Sequence, residues 1–225
     1  MKINCGIDEA GRGALAGPVV AAAVILPSSK MIKGLDDSKK ITKKNRDKLF
    51  LKIVELGEVG IGFSSHRVID RINILNATHL AMTKAFRNID TIPDQILVDG
   101  INSPIFEYET KHIIGGDGKV DCIGAASIVA KVVRDKFMSM LDLVFPDFNF
   151  SKHKGYGTKE HLNLLKKNSF TEIHRKTFAP VKNLINSRNC KDSNLYTSNT
   201  NLEEINVEIN NWLRRSEEHT SELQS

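Results

Sequence analysis

Residues 2–26 read KINCGIDEAGRGALAGPVVAAAVIL. Two short apolar runs, Lys2–Ile7 and Val19–Leu26, flank a glycine-rich turn, Gly11-Arg12-Gly13. Runs of this length, bounded by such a turn, predict two buried strands. The first strand hands two adjacent carboxylates, Asp8 and Glu9, to the turn.

Outward from this stretch the chain alternates between the two periods. Thr42 is placed to cap a helix running to about Leu56, with Leu49, Phe50, Ile53 and Val54 on one apolar face. Val59–Ser64 predicts a third strand, and Ile74–Phe86 has helical spacing through Leu75, His79, Met82 and Phe86. Gln95–Val98 predicts a fourth strand ending at Asp99-Gly100, and Lys111–Ile114 a fifth ending at Gly115-Gly116. Val120–Val144 predicts a long helix whose start, Gly124-Ala125-Ala126-Ser127, is small enough to pack close to a sheet. Pro146 stops it. Thr158–Lys167 and Phe178–Ile185 predict two more helices. This order implies an α/β fold, a mixed sheet flanked by helices.

After Arg188 the composition shifts to Asn, Ser, Thr and Lys. The reading is a domain over 1–188, a linker over 189–199, and a short amphipathic helix over 200–214 carrying Leu202, Ile205, Ile209 and Trp212. Residues 215–225, RSEEHTSELQS, look like the in-frame translation of a sequencing adapter and are set aside from the fold. On that reading the natural C-terminus lies elsewhere.

The 225 residues are 40% hydrophobic and 26% charged, the profile of an ordinary globular chain with one sizeable core. Lys and Arg number 32 against 27 Asp and Glu, a formal +5 that is compatible with a polyanionic partner without requiring one. The three cysteines, Cys5, Cys122 and Cys190, form no C-x-x-C pair, so neither a disulfide framework nor a zinc knuckle is indicated. Isolated thiols suit a reducing cytosol. No signal peptide is expected, and the apolar run Val19–Leu26 is far too short to span a bilayer.

Four acids sit at predicted strand ends or in the adjoining glycine turns: Asp8 and Glu9 in GIDEAGRG, Asp99 in ILVDG, and Asp117 in IIGGDGK. Neighbouring strands lie about 4.8 Å apart, so carboxylates at adjacent strand ends can share an ion or a pair of ions. Hard cations such as Mg²⁺ take carboxylate, water and phosphate oxygens and need no His or Cys. Two ions about 3.5–4 Å apart activate water and stabilise a leaving oxygen in phosphodiester hydrolysis. Asp8 and Glu9 pose a geometric problem, because successive strand side chains point to opposite faces. Both serve one site only if the pleat breaks, and Gly6, Gly11 and Gly13 would permit a break. The bland alternative is that each acid caps a helix or sits in a solvated turn. Four of them beside such glycine patterns favour the metal site.

GIDEAGRG followed by LAGPVVAAAVIL resembles the opening of the ribonuclease HII family. So do DSKK (Asp37–Lys40), NILNAT (Asn73–Thr78), VDG (Val98–Gly100), AASIVAKVVRD (Ala125–Asp135), HKGYGT (His153–Thr158) and HRKTFAPV (His174–Val181). The motifs occur in order between about Ile3 and Val181. The resemblance implies a ribonuclease H-like mixed five-stranded sheet flanked by helices, here followed by the short C-terminal helix. It implies Asp8, Glu9, Asp99 and Asp117 as metal-binding catalytic carboxylates, Mg²⁺ or Mn²⁺ as cofactor, and cleavage that leaves a 3′-hydroxyl and a 5′-phosphate. The implied substrate is an RNA–DNA hybrid or a DNA duplex with an embedded ribonucleotide, and no membrane is involved. In this family the backbone of the turn, here Gly11, Arg12 and Gly13, reads the ribonucleotide's 2′-hydroxyl. The tyrosine of H-K-G-Y, here Tyr156, stacks on the following deoxyribose, and the lysine of D-S-K, here Lys39, lies near a phosphate.

These roles suit the residue types. Glycine lets backbone groups approach the 2′-hydroxyl that separates RNA from DNA. Lys39, Lys40, Lys43, Lys44 and Arg46 form a basic cluster suited to phosphates. Ser127, Lys131, Arg134 and Asp135 share a helical stripe that reads as a solvent face, and no role is assigned to them. His153, His161 and His174 are left outside the site, since core or capping roles fit them equally well. The chain departs from the family pattern at Ala14, where Pro is common, at Asp36, where Asn is usual, and at Ile101, where Asn is frequent. Three rival readings are weaker. Ribonuclease HIII resembles G-T-G at the turn and carries an extra N-terminal domain. A nucleic-acid-binding module would not need the acidic set. A phosphate-loop enzyme would carry G-x-x-x-x-G-K-[ST], which this sequence lacks.

Overall fold

A computed structural model describes residues 2–27, 32–35, 38 and 40–187. The expected linker, C-terminal helix and adapter-like tail lie outside the described residues, as does Lys39.

The described residues form, in order, β1 (Asn4–Ala10), β2 (Val19–Ile25), α1 (Lys43–Leu56), β3 (Glu58–Ser64), α2 (His66–Arg87), β4 (Gln95–Asp99), β5 (Thr110–Ile113), α3 (Asp121–Val144), α4 (Phe150–His153), α5 (Lys159–Asn168) and α6 (Ala179–Ser187). The strands make one mixed sheet in the order β3-β2-β1-β4-β5. The β1–β2 and β2–β3 pairs are antiparallel, and the β1–β4 and β4–β5 pairs are parallel. This is the five-stranded, helix-flanked sheet expected from the sequence.

The period of two in β2 explains its unbroken apolar run. Val20, Ala22 and Val24 face α1 and α3, packing with Leu49, Phe50, Ile53, Ala125 and Val129. Val19, Ala21 and Ala23 face α2, packing with Ala77, Ala81, Met82 and Ala85. A strand covered on both faces has no polar side to show. Small residues set the layer spacing. A Cβ on Gly6 of β1 would lie 2.2 Å from the Cys122 carbonyl carbon, so the start of α3 rests directly on that strand.

The helix ends follow capping chemistry. Thr42 and Thr158 accept from the N–H of Asn45 and His161, at the starts of α1 and α5. α2 departs from expectation by starting eight residues early, at His66, capped by Ser65. It is two helical pieces joined at Asn73, whose φ of 66° is left-handed. The Asn73 Oδ1 accepts from the Asn76 N–H at 3.0 Å, so the NILNAT motif restarts the second piece with an internal cap.

A second small core forms beyond the sheet. Phe145, Phe148 and Phe150 are fully buried with Leu165, Phe170, Ile173 and Val181 against Leu15, Ala16 and Met138. Each such ring stabilises by roughly 1.5–3 kcal/mol. That is enough to hold the segments around 153–158 and 171–175 firmly against the turn after β1.

Candidate active site

β1 and β4 run parallel with Ile7 opposite Val98, where their ladder stops. The next residues, Asp8 and Asp99, border the notch where the two strands part. Asp117 enters from the 3-10 turn Gly116–Gly118 that precedes α3. Asp8, Glu9, Asp99 and Asp117 line one open cavity of ≈450 Å³, together with Gly11, Arg12, Gly13 and Tyr156. Eight of the nine residues expected at a site therefore share one cavity, and Lys39 lies outside the described residues.

The expected break in the pleat is not there. Asp8, Glu9 and Ala10 continue in register opposite Ala22, Ala21 and Val20. Asp8 points toward α3, where burial, then Glu9, and less strongly Asp99, push its carboxyl well above the usual range; a hydrogen bond from Ser127 works against them. Glu9 points to the other face, and its Oε1 lies 3.3 Å from the Arg12 guanidinium. Both reach the cavity because β1 outruns its ladder with β4, so the cavity is open to either face.

Asp99 Oδ1 accepts from the Gly116 N–H at 2.7 Å, which ties the end of β4 to the Asp117 turn. Among the described residues no three His, Cys, Asp or Glu side chains converge as placed to ligate one ion. The donor set nevertheless fits a hard divalent cation. It is all carboxylate, open to solvent, and contains a buried acid that two acidic neighbours drive toward protonation.

The stripe on α3 is not the solvent face that the sequence suggested. Ser127 and Lys131 line the cavity. Arg134 is fully buried and donates to the carbonyls of Pro18, Lys154 and Ala16 at 3.0–3.3 Å. Arg175, also fully buried, donates to the carbonyls of Gly17, Arg12 and Gly11 at 2.7–3.0 Å. Six carbonyl dipoles thus solvate two buried guanidinium groups, the condition under which burying such charge is tolerable. Burial, and next the charge of Arg134, bring the Arg175 pKa down to about 9.

These two arginines fix the glycine turn. Gly11 has a φ of +97°, and a Cβ there would lie 1.9 Å from Arg134 Nε. Gly13 has open space where a Cβ would be, so a ligand can approach its backbone. Two-residue bridges link Ala14 to Tyr156 and Ala16 to His174. Only the intervals between Arg134, Arg175 and the turn hide this from the sequence, since these hydrogen bonds span more than 100 residues.

The three histidines lie beneath this platform, and their hydrogen bonds fix each tautomer. His153 donates from Nε2 to the Phe148 carbonyl at 2.6 Å and accepts at Nδ1 from the Gly155 N–H. His161 must donate from Nδ1 to the Tyr156 carbonyl, so its Nε2 accepts from His174 Nε2 at 2.9 Å. His174 Nδ1 then accepts from the Thr171 N–H and hydroxyl. Burial, then the neighbouring His153, lowers His161 to about 4, and burial, then His161, holds His174 well below the usual imidazole range.

All three rings are therefore expected to be neutral at pH 7, with protons on His153 Nε2, His161 Nδ1 and His174 Nε2. Ring nitrogen spectra read these tautomers directly, and a charged His161 at pH 6 would contradict them. The unfolded chain binds protons near pH 6.5 while the folded rings do not. Their contribution to stability is thus complete above about pH 6.5 and falls as pH drops toward about 4. His66, also lowered to about 4 by burial, acts in the same sense, whereas Asp8 in the cation-free chain acts in the opposite one.

Comparison with known proteins agrees with this fold. The Ribonuclease HII family model matches residues 5–181. The Ribonuclease HII of Thermotoga maritima is 50% identical over 183 residues, covering 81% of this chain and 76% of the relative. The crystal structure of ribonuclease H2 from Pyrococcus horikoshii OT3 superposes with a TM-score of 0.70 at 25% identity, covering 85% of this chain and all of that one. Bst-RNase HIII, solved in complex with Mn²⁺, shares the fold at a TM-score of 0.62 and 16% identity, covering 84% of this chain and 70% of that one.

Proposed function

Since this chain belongs to the ribonuclease HII family, we propose that it cuts the RNA strand of RNA–DNA hybrids and, at single ribonucleotides in duplex DNA, the bond 5′ of the ribonucleotide. The products are a 3′-hydroxyl and a 5′-phosphate. The observation that carries this reading is one cavity lined by four carboxylates, a glycine turn and an aromatic ring.

Asp8, Glu9, Asp99 and Asp117 would hold Mg²⁺ or Mn²⁺ as a pair. Bound there, such ions lower the pKa of water and stabilise charge on the leaving oxygen. The remaining roles belong to the chain itself. Arg175 keeps the Gly11 and Arg12 carbonyls turned inward, so the turn meets the 2′-hydroxyl as a preset surface. Tyr156, whose backbone bridges to Ala14 next to that turn, would take the next sugar. Lys39 is assigned to a backbone phosphate.

A cytosolic setting accords with Cys5 and Cys122, which are free and buried, their thiols pushed up by burial to about 12 and about 11. No described helix is long and apolar enough to cross a membrane.

The test is a labelled DNA duplex with one ribonucleotide, incubated with Mg²⁺, with Mn²⁺, and with chelator. The expected result is a single cut 5′ of the ribonucleotide that chelator abolishes. Binding without a cut in either metal would return the chain to the nucleic-acid-binding reading.

A further inference from the structure

A second cavity, of ≈540 Å³, opens between residues 33–35, residues 40–42 and the outer face of α1. Among the described residues its polar lining is Lys33, Lys40, Lys48, Lys52, Thr42 and Asn45, none of them acidic. Lys44, Lys48 and Lys52 recur at every fourth position of α1, so like charges stand in a row and repel one another. Of the helix's two acids, Glu55 stands at the far end of the row, three residues beyond Lys52. Asp47 pairs with Lys43 at 2.9 Å. Among the described residues, Lys48 and Lys52 have no ion-pair or hydrogen-bond partner. An anion seated among them turns that repulsion into attraction.

The spacing selects the kind of anion. Cations contributed by two separate segments, over a partly apolar surface from Leu35, Ile41 and Leu49, suit charges strung along a chain better than one compact ion. The cavity also adjoins the carboxylates. Ser38 lines the carboxylate cavity, while Lys40 and Ile41 line this one. Arg46 of α1 donates to the carbonyls of both Ser38 and Ile41, at 2.7 and 3.1 Å, and so fixes the ridge between them.

We propose that this lysine-lined cavity anchors the phosphate backbone of the duplex outside the nucleotides being cut. The inference rests on the nuclease reading above and adds an anchoring point outside the carboxylate cavity, on the far side of the ridge. Its contribution is affinity without sequence preference, as phosphate binding provides.

The test uses the full chain with Lys48→Gln/Lys52→Gln and, separately, Lys48→Glu/Lys52→Glu. Binding is measured in chelator, so no cleavage is required, on duplexes of about three helical turns and about one turn (10 base pairs). The glutamate pair should weaken binding to the long duplex on the order of tenfold at low salt. The salt slope should fall by about 1 for each phosphate that is no longer neutralised. The short duplex should lose little. With metal, KM on the long duplex should rise while kcat holds. The melting temperature of the glutamine pair should hold or rise, because it relieves repulsion. Wild-type affinity and slope in both variants on the long duplex would overturn the proposal. So would an equal loss on both lengths, or loss of mononucleotide binding with duplex binding unchanged, which would assign the cavity to a free nucleotide. Failure of the nuclease reading shows separately, as a wild-type chain that cuts nothing.

Discussion

Asp99→Asn is expected to abolish measurable turnover while leaving the fold and duplex binding close to wild type. The side chain has two jobs that the substitution separates. Its Oδ1 accepts the Gly116 N–H at 2.7 Å, and the amide oxygen of Asn can keep that bond. Its negative charge cannot be kept. Asp99 ends the strand beside Asp8 and faces the same cavity as Asp117, so its charge is part of what would bind cations there. Removing it relieves repulsion on Asp8 and should not destabilise the cation-free chain. The loss therefore falls on the transition state, on the order of 10³-fold or about 4 kcal/mol. The measurement is kcat on a single-ribonucleotide duplex, beside melting temperature and duplex affinity in chelator. Near-normal turnover at saturating Mg²⁺ would remove Asp99 from the carboxylate set. A fall in melting temperature matching the lost activity would make its role structural.

The sheet was legible because its signals are local. Val19–Ile25 is apolar without alternation because both faces are covered, and a strand seven residues long between Gly17-Pro18 and Pro27 leaves little alternative. The acids were legible as strand-end residues, but the manner of their meeting was not. A pleat break looked necessary for Asp8 and Glu9, whereas the ladder with β2 continues through Ala10 and the ladder with β4 stops early. Strand pairing is a relation between distant segments, and one strand's sequence does not state where its partner leaves off.

Arg134 illustrates the same limit more sharply. On a helical wheel it belongs with Lys131 and Asp135 on a charged stripe, and a charged stripe normally faces water. Here that face meets the loop after β1 and the Lys154 turn, whose carbonyls supply the solvation that water would otherwise give. Backbone carbonyls leave no mark on the sequence, so a buried arginine satisfied by them looks like an exposed one. The early start of α2 was hidden for a related reason. Asn73, in a left-handed conformation, splits the hydrophobic period, and only the second piece keeps a clean stripe.

Tyr156→Ala is the second large effect expected, and it concerns which substrate is cut. The Tyr156 backbone bridges to Ala14, so ring and glycine turn move as one unit. The Arg134 guanidinium lies 5.1 Å from the ring centroid and the Lys131 ammonium 6.0 Å, holding the ring from the α3 side. Tyr156 and Lys131 both border the carboxylate cavity. A turn that tests one nucleotide for a 2′-hydroxyl, next to a ring that packs against the neighbouring sugar, favours a ribonucleotide followed by a deoxyribonucleotide. An extra hydroxyl on that second sugar would stand where the ring packs. Stacking interactions are worth about 1–3 kcal/mol each, and about 1.4 kcal/mol is a factor of ten. Tyr156→Ala should therefore slow cutting at a single embedded ribonucleotide by one or more orders of magnitude. A uniform RNA–DNA hybrid, where the ring never packs fully against the sugar, should lose less. Initial rates on the two substrates, wild type beside variant, make the comparison. An unchanged rate on the embedded ribonucleotide, or an equal loss on both substrates, would mean that Tyr156 does not read the junction. The preference would then have to come from the Gly11-Arg12-Gly13 turn alone.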